Sequence, residues 1–212
     1  MARHTRESVA GLTELKHGRL TLAAIPAVSA FYLPGRLNRF LGKHPGIELV
    51  ILEESSTGVA ELVGNGTAEI GFLQLPELDQ RLETRKLLTE SHHVLLHQKH
   101  RLADARSVTI KQLSGESFIQ YRGRVHETVL HACRRAGFDP KVACVTSELA
   151  TVHALVHSGL GVAILPEMAI PTGLKGTRAV PLRNPGLKRD IGLARRHATP
   201  LSAAGKAFET FL

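Results

Sequence analysis

Histidines form the densest group of possible metal ligands in this sequence. His92, His93, His97 and His100 lie within nine positions of one another. On a strand, His93 and His97 would share a face but stand about 13 Å apart along an extended chain. No acidic residue or cysteine completes a ligand set beside them. We therefore expect no metal and no cofactor.

Catalytic nucleophiles and nucleotide loops are also poorly supported. The serine in Gly115-Glu-Ser117 lacks the glycine two positions later that a nucleophile elbow requires. Cys133 and Cys144 fall on predicted buried faces, where packing is their expected role. Gly64-x-Gly66 and Gly159-x-Gly161 each follow a helix and precede a strand, which is the reverse of a dinucleotide fingerprint. We expect no enzyme.

The charge of the chain invites a nucleic-acid interpretation. Its 212 residues carry a net charge of +8, with a pI of about 9.9. No helix-turn-helix pattern, zinc-finger spacing or aromatic RNA-binding motif accompanies this charge, so a solvated basic face is the favoured interpretation. Between residues 175 and 206 the only acidic residue is Asp190, against eight basic ones: Lys175, Arg178, Arg183, Lys188, Arg189, Arg195, Arg196 and Lys206.

Composition indicates an ordinary globular chain in a reducing compartment. Hydrophobic residues make up 43% and aromatic residues 4%, so the core must be aliphatic. Two cysteines cannot form a disulfide framework. No run of 18 apolar residues predicts a membrane span, and the polar start is unlike a secretory signal. We expect a cytoplasmic protein without membrane contact.

One order of elements occurs twice, about 95 residues apart. It reads strand, helix, Pro/Gly turn, strand, hydroxyl cap, helix, Gly, strand. In the first half the predicted elements are strand 19–25, a long helix ending near 43, strand 47–53, helix 58–63 after Ser55-Ser56-Thr57, and strand 68–73. In the second half they are strand 117–121, helix 124–136, strand 141–145, a helix capped by Thr146-Ser147 and ending at 157, and strand 162–165.

The repeat predicts an α/β fold with two Rossmann-like lobes. Right-handed crossovers would give each lobe a parallel sheet flanked by helices. Short strands at 85–88 and 93–96 lead out of the first lobe, and strands at 178–182 and 190–194 with a final helix near 201–212 return. Because the chain would cross between the lobes twice, we expect a hinge at the crossings and a cleft between the lobes. We assign 18–97 and 175–212 to lobe I, and 98–174 to lobe II.

Ligands of open parallel sheets bind beyond the carboxyl ends of the strands. This rule selects the candidate site, although the hydroxyl residues could simply cap helices and the arginines could be solvated. An arginine could also clamp a carboxylate. The candidates are Pro26, Ala27, Val28, Ser55, Ser56 and Gln74 in lobe I, and Tyr121, Arg122, Arg124, Thr146 and Ser147 in lobe II.

Three segments together give the chain a family resemblance. Val-Thr-Ile-Lys-Gln-Leu-Ser-Gly-Glu-Ser-Phe-Ile at 108–119, Ser147 to Pro166 and Leu33 to Leu49 resemble the effector-binding domain of LysR-type transcriptional regulators. Lys99-His-Arg-Leu102 is similar to an Asp-His-Pro-Leu segment of that family, with Arg101 in place of the proline. The resemblance covers about residues 18–212.

The resemblance implies a fold like type 2 periplasmic binding proteins, with a small-molecule effector, such as an organic acid or other metabolite, in the cleft. It implies a cytoplasmic bacterial regulator that contacts DNA only through a winged helix N-terminal to this domain. Residues 1–17 would be the end of a linker helix or an added leader. Domains of the family pair antiparallel, as homodimers or tetramers. Helix 31–43 and strand 47–53 would then face a partner's helix 124–136 and strand 141–145.

One position departs from the family's pattern. Many members carry a hydroxyl residue in the turn after the first strand, whereas Ile25-Pro-Ala-Val28 has none before Ser29. Carboxylate recognition would then rest on backbone N–H groups, Ser56 and the arginines. Two other functions stay open at this point: a free-standing solute-binding protein of a transport system, and an enzyme on the same scaffold.

Overall fold

The computed structural model describes residues 17–171, 173 and 175–212. The predicted linker segment 1–17 lies outside this range except for His17. The strands are β1 (Gly18–Ala24), β2 (Ile47–Glu53), β3 (Ile70–Leu75), β4 (Leu82–His97), β5 (Ser117–Tyr121), β6 (Lys141–Thr146), β7 (Ala163–Pro166), β8 (Thr177–Pro181) and β9 (Lys188–Arg196). The α-helices are α1 (Leu33–Lys43), α2 (Ser56–Gly64), α3 (Arg124–Arg135), α4 (Leu149–His157) and α5 (Ala203–Phe211).

Lobe I is built on the strand order β2-β1-β3-β9-β4. Strand β1 is parallel to both β2 and β3, as the repeat predicts. Its alternating side chains Leu20 and Leu22 are fully buried under α1 and α5. Phe40 of α1 and Phe208 of α5 meet there with ring centroids 5.1 Å apart. The C-terminal helix therefore returns to lobe I.

Lobe II continues from the second half of β4, which pairs with β7 and β8. The amide of Ile119 in β5 donates to Val162 O at 2.8 Å, which joins β5 to the start of β7. Strand β6 then lies parallel to β5 at the edge. Val94 and Val180 pack in lobe II, in the cluster that contains Phe118. The chain therefore changes lobes near residues 91 and 188, rather than at the predicted boundaries after 97 and before 175, and strand β8 lies in lobe II.

The two short strands predicted at 85–88 and 93–96 are one strand of 16 residues, β4. Its first half pairs with β9 in lobe I and its second half with β7 and β8 in lobe II. The main sheet is mixed rather than parallel, because β9 runs antiparallel to β3 and β4, whereas β5 and β6 form a parallel pair. Strands that leave a lobe and return to it must run in opposite directions, and β4 and β9 together form the hinge.

The first predicted helix begins differently from the expectation. Val28–Tyr32 forms a turn of π-helix, in which the Leu33 amide donates to Val28 O, before α1 starts. Pro34 follows at once, and it has no N–H to donate and crowds the preceding turn. The segment therefore begins as a wide π-turn and becomes α-helical from Leu33.

The predicted helix caps are confirmed in lobe I and wrong in lobe II. Ser55 Oγ accepts a hydrogen bond from Gly58 N at 3.1 Å and caps α2. Helix α4 begins only at Leu149, and its N-cap residue Glu148 makes no side-chain cap bond. Thr146 Oγ1 instead accepts from Glu148 N at 3.1 Å, which shapes the turn between β6 and α4.

Both cysteines are free, with Cys133 buried and Cys144 half-buried. Burial raises the pKa of Cys133 to about 11, so its thiol stays protonated at neutral pH. Within the described ranges, no helix is both long and apolar enough to cross a membrane.

Candidate functional site

The carboxyl end of β3 in lobe I contacts the segment that follows β5 in lobe II, and we call this region between the lobes the cleft. The clearest evidence is Arg124, at the start of α3. Its Nη1 donates to the carbonyl oxygens of Gln74 and Pro76 at 2.9 and 2.8 Å. Its Nη2 lies 3.1 Å from Oε2 of Glu77, whose side chain is only 11% exposed. This predicted ligand residue is thus an inter-lobe latch, with its donors directed at lobe I.

The turn after β1 offers few free donors to a ligand. Ala27 and Val28 are buried, and Ala27 packs against lobe II side chains that include Ile119. The amides of Val28 and Ser29 both donate to the Ile25 carbonyl, at 2.9 and 3.2 Å. Half-buried Pro26 has no amide hydrogen. The backbone N–H groups of Val28 and Ser29, expected to hold a carboxylate, are therefore already used within the turn.

The two serines after β2 have different roles. Ser55 is exposed and caps α2, whereas Ser56 is 8% exposed and accepts from Gln74 N at 3.2 Å. Ser56 therefore ties α2 to the end of β3. Gln74, which also gives its carbonyl to Arg124, links this side of the cleft to lobe II.

On the lobe II side, the predicted residues lie together at the ends of β5 and β6. Arg122 N donates to Thr146 O at 2.8 Å, which joins the two strand ends. Tyr121 and Thr146 are half-buried, while the side chains of Arg122 and Ser147 are exposed. Exposed polar side chains beside a half-buried phenol leave this wall of the cleft available to a small polar molecule.

Charges from both lobes and the hinge act on Tyr121. Burial raises the pKa of its phenol, and the carboxylates of Glu148 and Glu53 raise it further, while Arg189 opposes them. Glu53 comes from lobe I, Glu148 from lobe II and Arg189 from the hinge strand β9. Tyr121 is therefore influenced by charged groups of both lobes and of the hinge.

The sequence interpretation missed the partner of the hydroxyl nearest the first turn. Ser29 is 7% exposed, and its Oγ lies 2.5 Å from Oε1 of Glu53 and 3.0 Å from the Pro26 carbonyl oxygen. An ionised carboxylate only accepts, so Ser29 is the donor. The hydroxyl absent from positions 25–28 is thus present one residue later, and it holds Glu53 at the end of β2.

The hinge contains a buried ion pair that the charge pattern did not indicate. Glu90 on β4 and Arg189 on β9 are each 8% exposed, with Arg189 Nε 2.7 Å from Glu90 Oε1. Glu90 Oε2 also accepts from Met168 N at 2.8 Å. Burial lowers the pKa of Arg189, and its Nη2 has no hydrogen-bond partner. The expectation of a solvated basic face is wrong for Arg189, because this side chain is buried and paired with Glu90. The pair could not be predicted from local sequence, since its two residues are 99 positions apart.

Two more polar residues of lobe II, which the sequence did not single out, face a small cavity beside Tyr121. Gln120 is 3% exposed, and both its Oε1 and Nε2 have no partner. Nδ1 of His126 on α3 is unpartnered as well and lines the same cavity. Alternation along β5 could have placed Gln120 on a buried face, but nothing local to it signals the cavity.

Among the described residues, no three His, Cys, Asp or Glu side chains are placed to hold a metal ion. The histidines of the dense group have separate surroundings. His92 is buried with Nδ1 3.1 Å from Leu187 O, while His100 Nε2 lies 3.3 Å from Glu116 Oε2. Burial lowers the pKa of His92 to about 4, with Arg189 acting in the same direction.

Solved structures share this two-lobed architecture. The C-terminal domain of a probable LysR family regulator from Rhodococcus sp. RHA1 superposes with a TM-score of 0.81 at 23% identity, covering 92% of this chain and 98% of that one. The effector-binding domain of QuiR in complex with shikimate gives 0.81 at 20% identity, over 92% and 95% of the two chains. The effector-binding domain of BenM with benzoate gives 0.77 at 20%, over 91% and 89%. At these identities the likeness shows the fold.

The sequence is also similar to curated regulators. It is 28% identical to the uncharacterised HTH-type transcriptional regulator YwbI of Bacillus subtilis (strain 168), over 93% of this chain and 66% of YwbI. It is 24% identical to the transcriptional dual regulator GltC of the same organism, over 99% and 71%. The chain therefore spans about two thirds of the length of these relatives.

The model of one protein family, the LysR substrate binding domain, matches residues 13–212, nearly the whole chain. This match, the two-lobed α/β fold and the regulators among the relatives agree with the resemblance drawn from the sequence. The enzyme alternative is removed, because the family consists of transcriptional regulators, and the transport alternative has no comparable support. The chain belongs to the LysR family of transcriptional regulators and is its substrate-binding, or effector-binding, domain.

Proposed function

We propose that this chain senses a small metabolite in the inter-lobe cleft and pairs with a second copy of itself. In the whole regulator, a shift between lobe arrangements would re-space winged helix-turn-helix units on DNA in the cytoplasm. The observation that carries the proposal is the arrangement of the two lobes: the chain crosses between them on β4 and β9, and Arg124 of lobe II hydrogen-bonds to the end of β3 in lobe I.

A ligand changes the balance between two lobe arrangements only if it binds one of them more tightly. The Arg124 latch is suited to this role, because its three hydrogen bonds exist only while α3 lies against the end of β3. A molecule seated between Tyr121, Ser147 and the end of β2 would touch both lobes. If the cleft opened, the same molecule would keep its contacts with one lobe only.

The ligand site of the proposal comprises the strand-end residues already described. Thr146, Ser147, Tyr121 and Arg122 offer polar groups from lobe II. From lobe I come the exposed hydroxyl of Ser55 and half-buried Gln74, with Pro26, Ala27, Val28 and Ser56 shaping the wall behind them. Because Glu53 and Glu148 stand among these groups, we expect the effector to be a small organic acid or other metabolite that also carries hydrogen-bond donors for them.

Two relatives of known structure support a small ring carboxylate as a first probe. The structure of the QuiR domain contains shikimate and that of the BenM domain contains benzoate. Both lie at about 20% identity to this chain, so the chemistry of their ligands is a guide to the probe set rather than to the natural effector.

A thermal-shift screen against organic acids, aromatic carboxylates and amino acids tests the proposal. A ligand at 100 times its dissociation constant adds about 2.7 kcal/mol of stability. The stabilisation should disappear in Ser147→Trp, which fills the lobe II wall, and persist in Ser114→Trp, which places the same side chain before the amino end of β5. A ligand that stabilises both variants equally would bind outside the cleft and contradict the proposal.

Pairing between copies is proposed on the exposed edges of the sheets. Strands β2 and β6 are the outer strands of their sheets. Both carry exposed apolar side chains, Ile51 on β2 and Val142 and Val145 on β6. Apolar edge strands are normally covered in a stable protein. An antiparallel pair would cover them by setting α1 and β2 against the partner's α3 and β6.

A further inference from the structure

A small cavity in lobe II lies between the end of β5 and the first turn of α3. Both apolar and polar groups line it, and Phe118, Val125 and Ile164 are among the apolar residues. Its polar lining residues are Gln120, Tyr121 and His126. The free space is about 10 Å³, which is the scale of one water molecule.

The polar atoms that face this space are unusual because they have no partner. Gln120 presents a donor, Nε2, and an acceptor, Oε1, and neither is hydrogen-bonded although the residue is 3% exposed. Nδ1 of His126 is equally unpartnered. Buried polar groups are almost always hydrogen-bonded, since leaving one unpaired is costly. Three polar atoms without hydrogen-bond partners around one cavity indicate that a bound group fills it.

We propose that this cavity binds one small neutral group that both donates and accepts hydrogen bonds, either a water molecule or a hydroxyl of the effector. A hydroxyl-type group can accept from Gln120 Nε2 and donate to Gln120 Oε1, with His126 Nδ1 completing the set. A carboxylate is disfavoured because it would place a negative oxygen against the acceptor Oε1. An ammonium is disfavoured because its N–H groups would face the donor Nε2. No charged side chain lines the cavity to offset either.

The effector as the source of the group rests on the proposed function. Tyr121 and His126, both half-buried, bring one side of the cavity wall to the surface beside the cleft. His126 also stands two residues after Arg124 on the same helical turn. A group held between Gln120 and His126 would therefore fix the turn from which Arg124 reaches lobe I, and would couple occupancy to the latch.

The first test is Gln120→Met, with the exposed Gln98→Met as a matched control. If the cavity holds a bound group, the substitution removes two of its hydrogen bonds, and the melting temperature should fall by about 2–4 °C. If the cavity is dry, the substitution removes an unpaired buried amide, and the melting temperature should rise. A rise, with Gln98→Met unchanged, overturns the proposal.

The second test compares the unmodified chain with Gln120→Met and separates the two sources. Water bound in the cavity should give an NMR cross-relaxation signal to the Gln120 side-chain amide. Shikimate, which carries ring hydroxyls, and benzoate, which carries none, then serve as paired probes. Shikimate stabilisation that is lost in Gln120→Met, while benzoate is unaffected, assigns the group to the effector. A water signal without that selectivity assigns it to water.

The absence of both the water signal and the shikimate selectivity overturns the inference. It would leave the proposed function standing wherever other ligands still distinguish Ser147→Trp from Ser114→Trp. Conversely, a water molecule detected at Gln120 would support the cavity inference even if no ligand binds in the cleft. The two proposals can therefore fail separately.

Discussion

At the scale of single residues, the hinge pair Glu90–Arg189 is the contact with the largest expected effect on stability. Both side chains are 7% exposed, so removing one leaves a charge in a poorly solvated place. Arg189→Met should lower the free energy of unfolding by about 3–5 kcal/mol. Urea denaturation measures this directly.

Two further variants show whether the unpaired charge is the cause. Adding Glu90→Gln to Arg189→Met removes the charge yet keeps an acceptor for Met168 N, and should recover part of the loss. Arg134→Met breaks the exposed pair with Asp139 and should change stability by less than about 1 kcal/mol. Equal losses for Arg134→Met and Arg189→Met would contradict the account.

His92 gives the fold a pH dependence whose sign follows from its burial. Its pKa is about 4 in the folded chain and 6.5 in the unfolded one, so the unfolded state binds more protons between these values. Stability should be full above pH 6.5 and fall as the pH drops towards 4, by up to about 1.4 kcal/mol per pH unit. His92→Asn keeps a donor for Leu187 O and should flatten this slope.

The matched control is His131→Asn, at an exposed position on α3. A change of slope that appears in both variants would not come from the burial of His92. Carboxylates that titrate over the same range act equally on both variants. An identical slope in His92→Asn and the unmodified chain would show that His92 does not stay neutral in the fold.

At the scale of elements, the first turn of α3 connects the lobes. Arg124→Met removes all three hydrogen bonds to the β3 end and should let the cleft open. Amide hydrogen exchange should rise at 74–79 and at 121–126, and the radius of gyration in solution scattering should increase. Arg124→Lys should be intermediate, since one ammonium cannot match the guanidinium fork.

Arg135→Met, in the last turn of the same helix, is the control for a lost arginine on α3. Its exposed side chain should leave both exchange and scattering unchanged. Unchanged exchange at 74–79 in Arg124→Met would mean that the lobes are held together without the latch. The packing of Ala27 against lobe II would then be the main contact across the cleft.

Local pattern predicts elements better than it predicts pairing. The bounds of β2 and β5 match their predicted ranges, because alternation or an apolar run between breakers is a local signal. The continuity of β4 was missed because its polar middle, near Glu90 and Ser91, is satisfied by β9, a strand about 100 residues away. The π-turn before α1 depends on how the chain meets Pro34, which periodicity does not encode.

At the scale of the whole molecule, the two-lobed fold followed from the repeated order of elements, and the family from three segments. The parallel direction of β1 and β3 was predictable, because a helical crossover connects such strands. The antiparallel direction of β4 and β9 in the hinge was not, because it depends on how the chain returns to lobe I about 100 residues later. Strand ends also selected candidate residues that the fold brings together, such as Arg122 and Thr146. What each side chain binds was not predictable, as Arg124 and Ser56 show, because their partners lie on other elements.

The proposed pairing of two copies leads to a prediction about the exposed edge strand of lobe II. Val145 is 44% exposed on the edge strand β6, so a lysine there costs little in the isolated fold but places a charge in the proposed interface. We expect the unmodified chain to sediment as a dimer or larger, and Val145→Lys to sediment as a monomer with an unchanged melting temperature at low concentration. Leu78→Lys, at a loop position that is 85% exposed, should remain associated. A chain that stays monomeric at high concentration before any substitution would remove antiparallel pairing through β6, and with it the means by which lobe motion could reach a second copy.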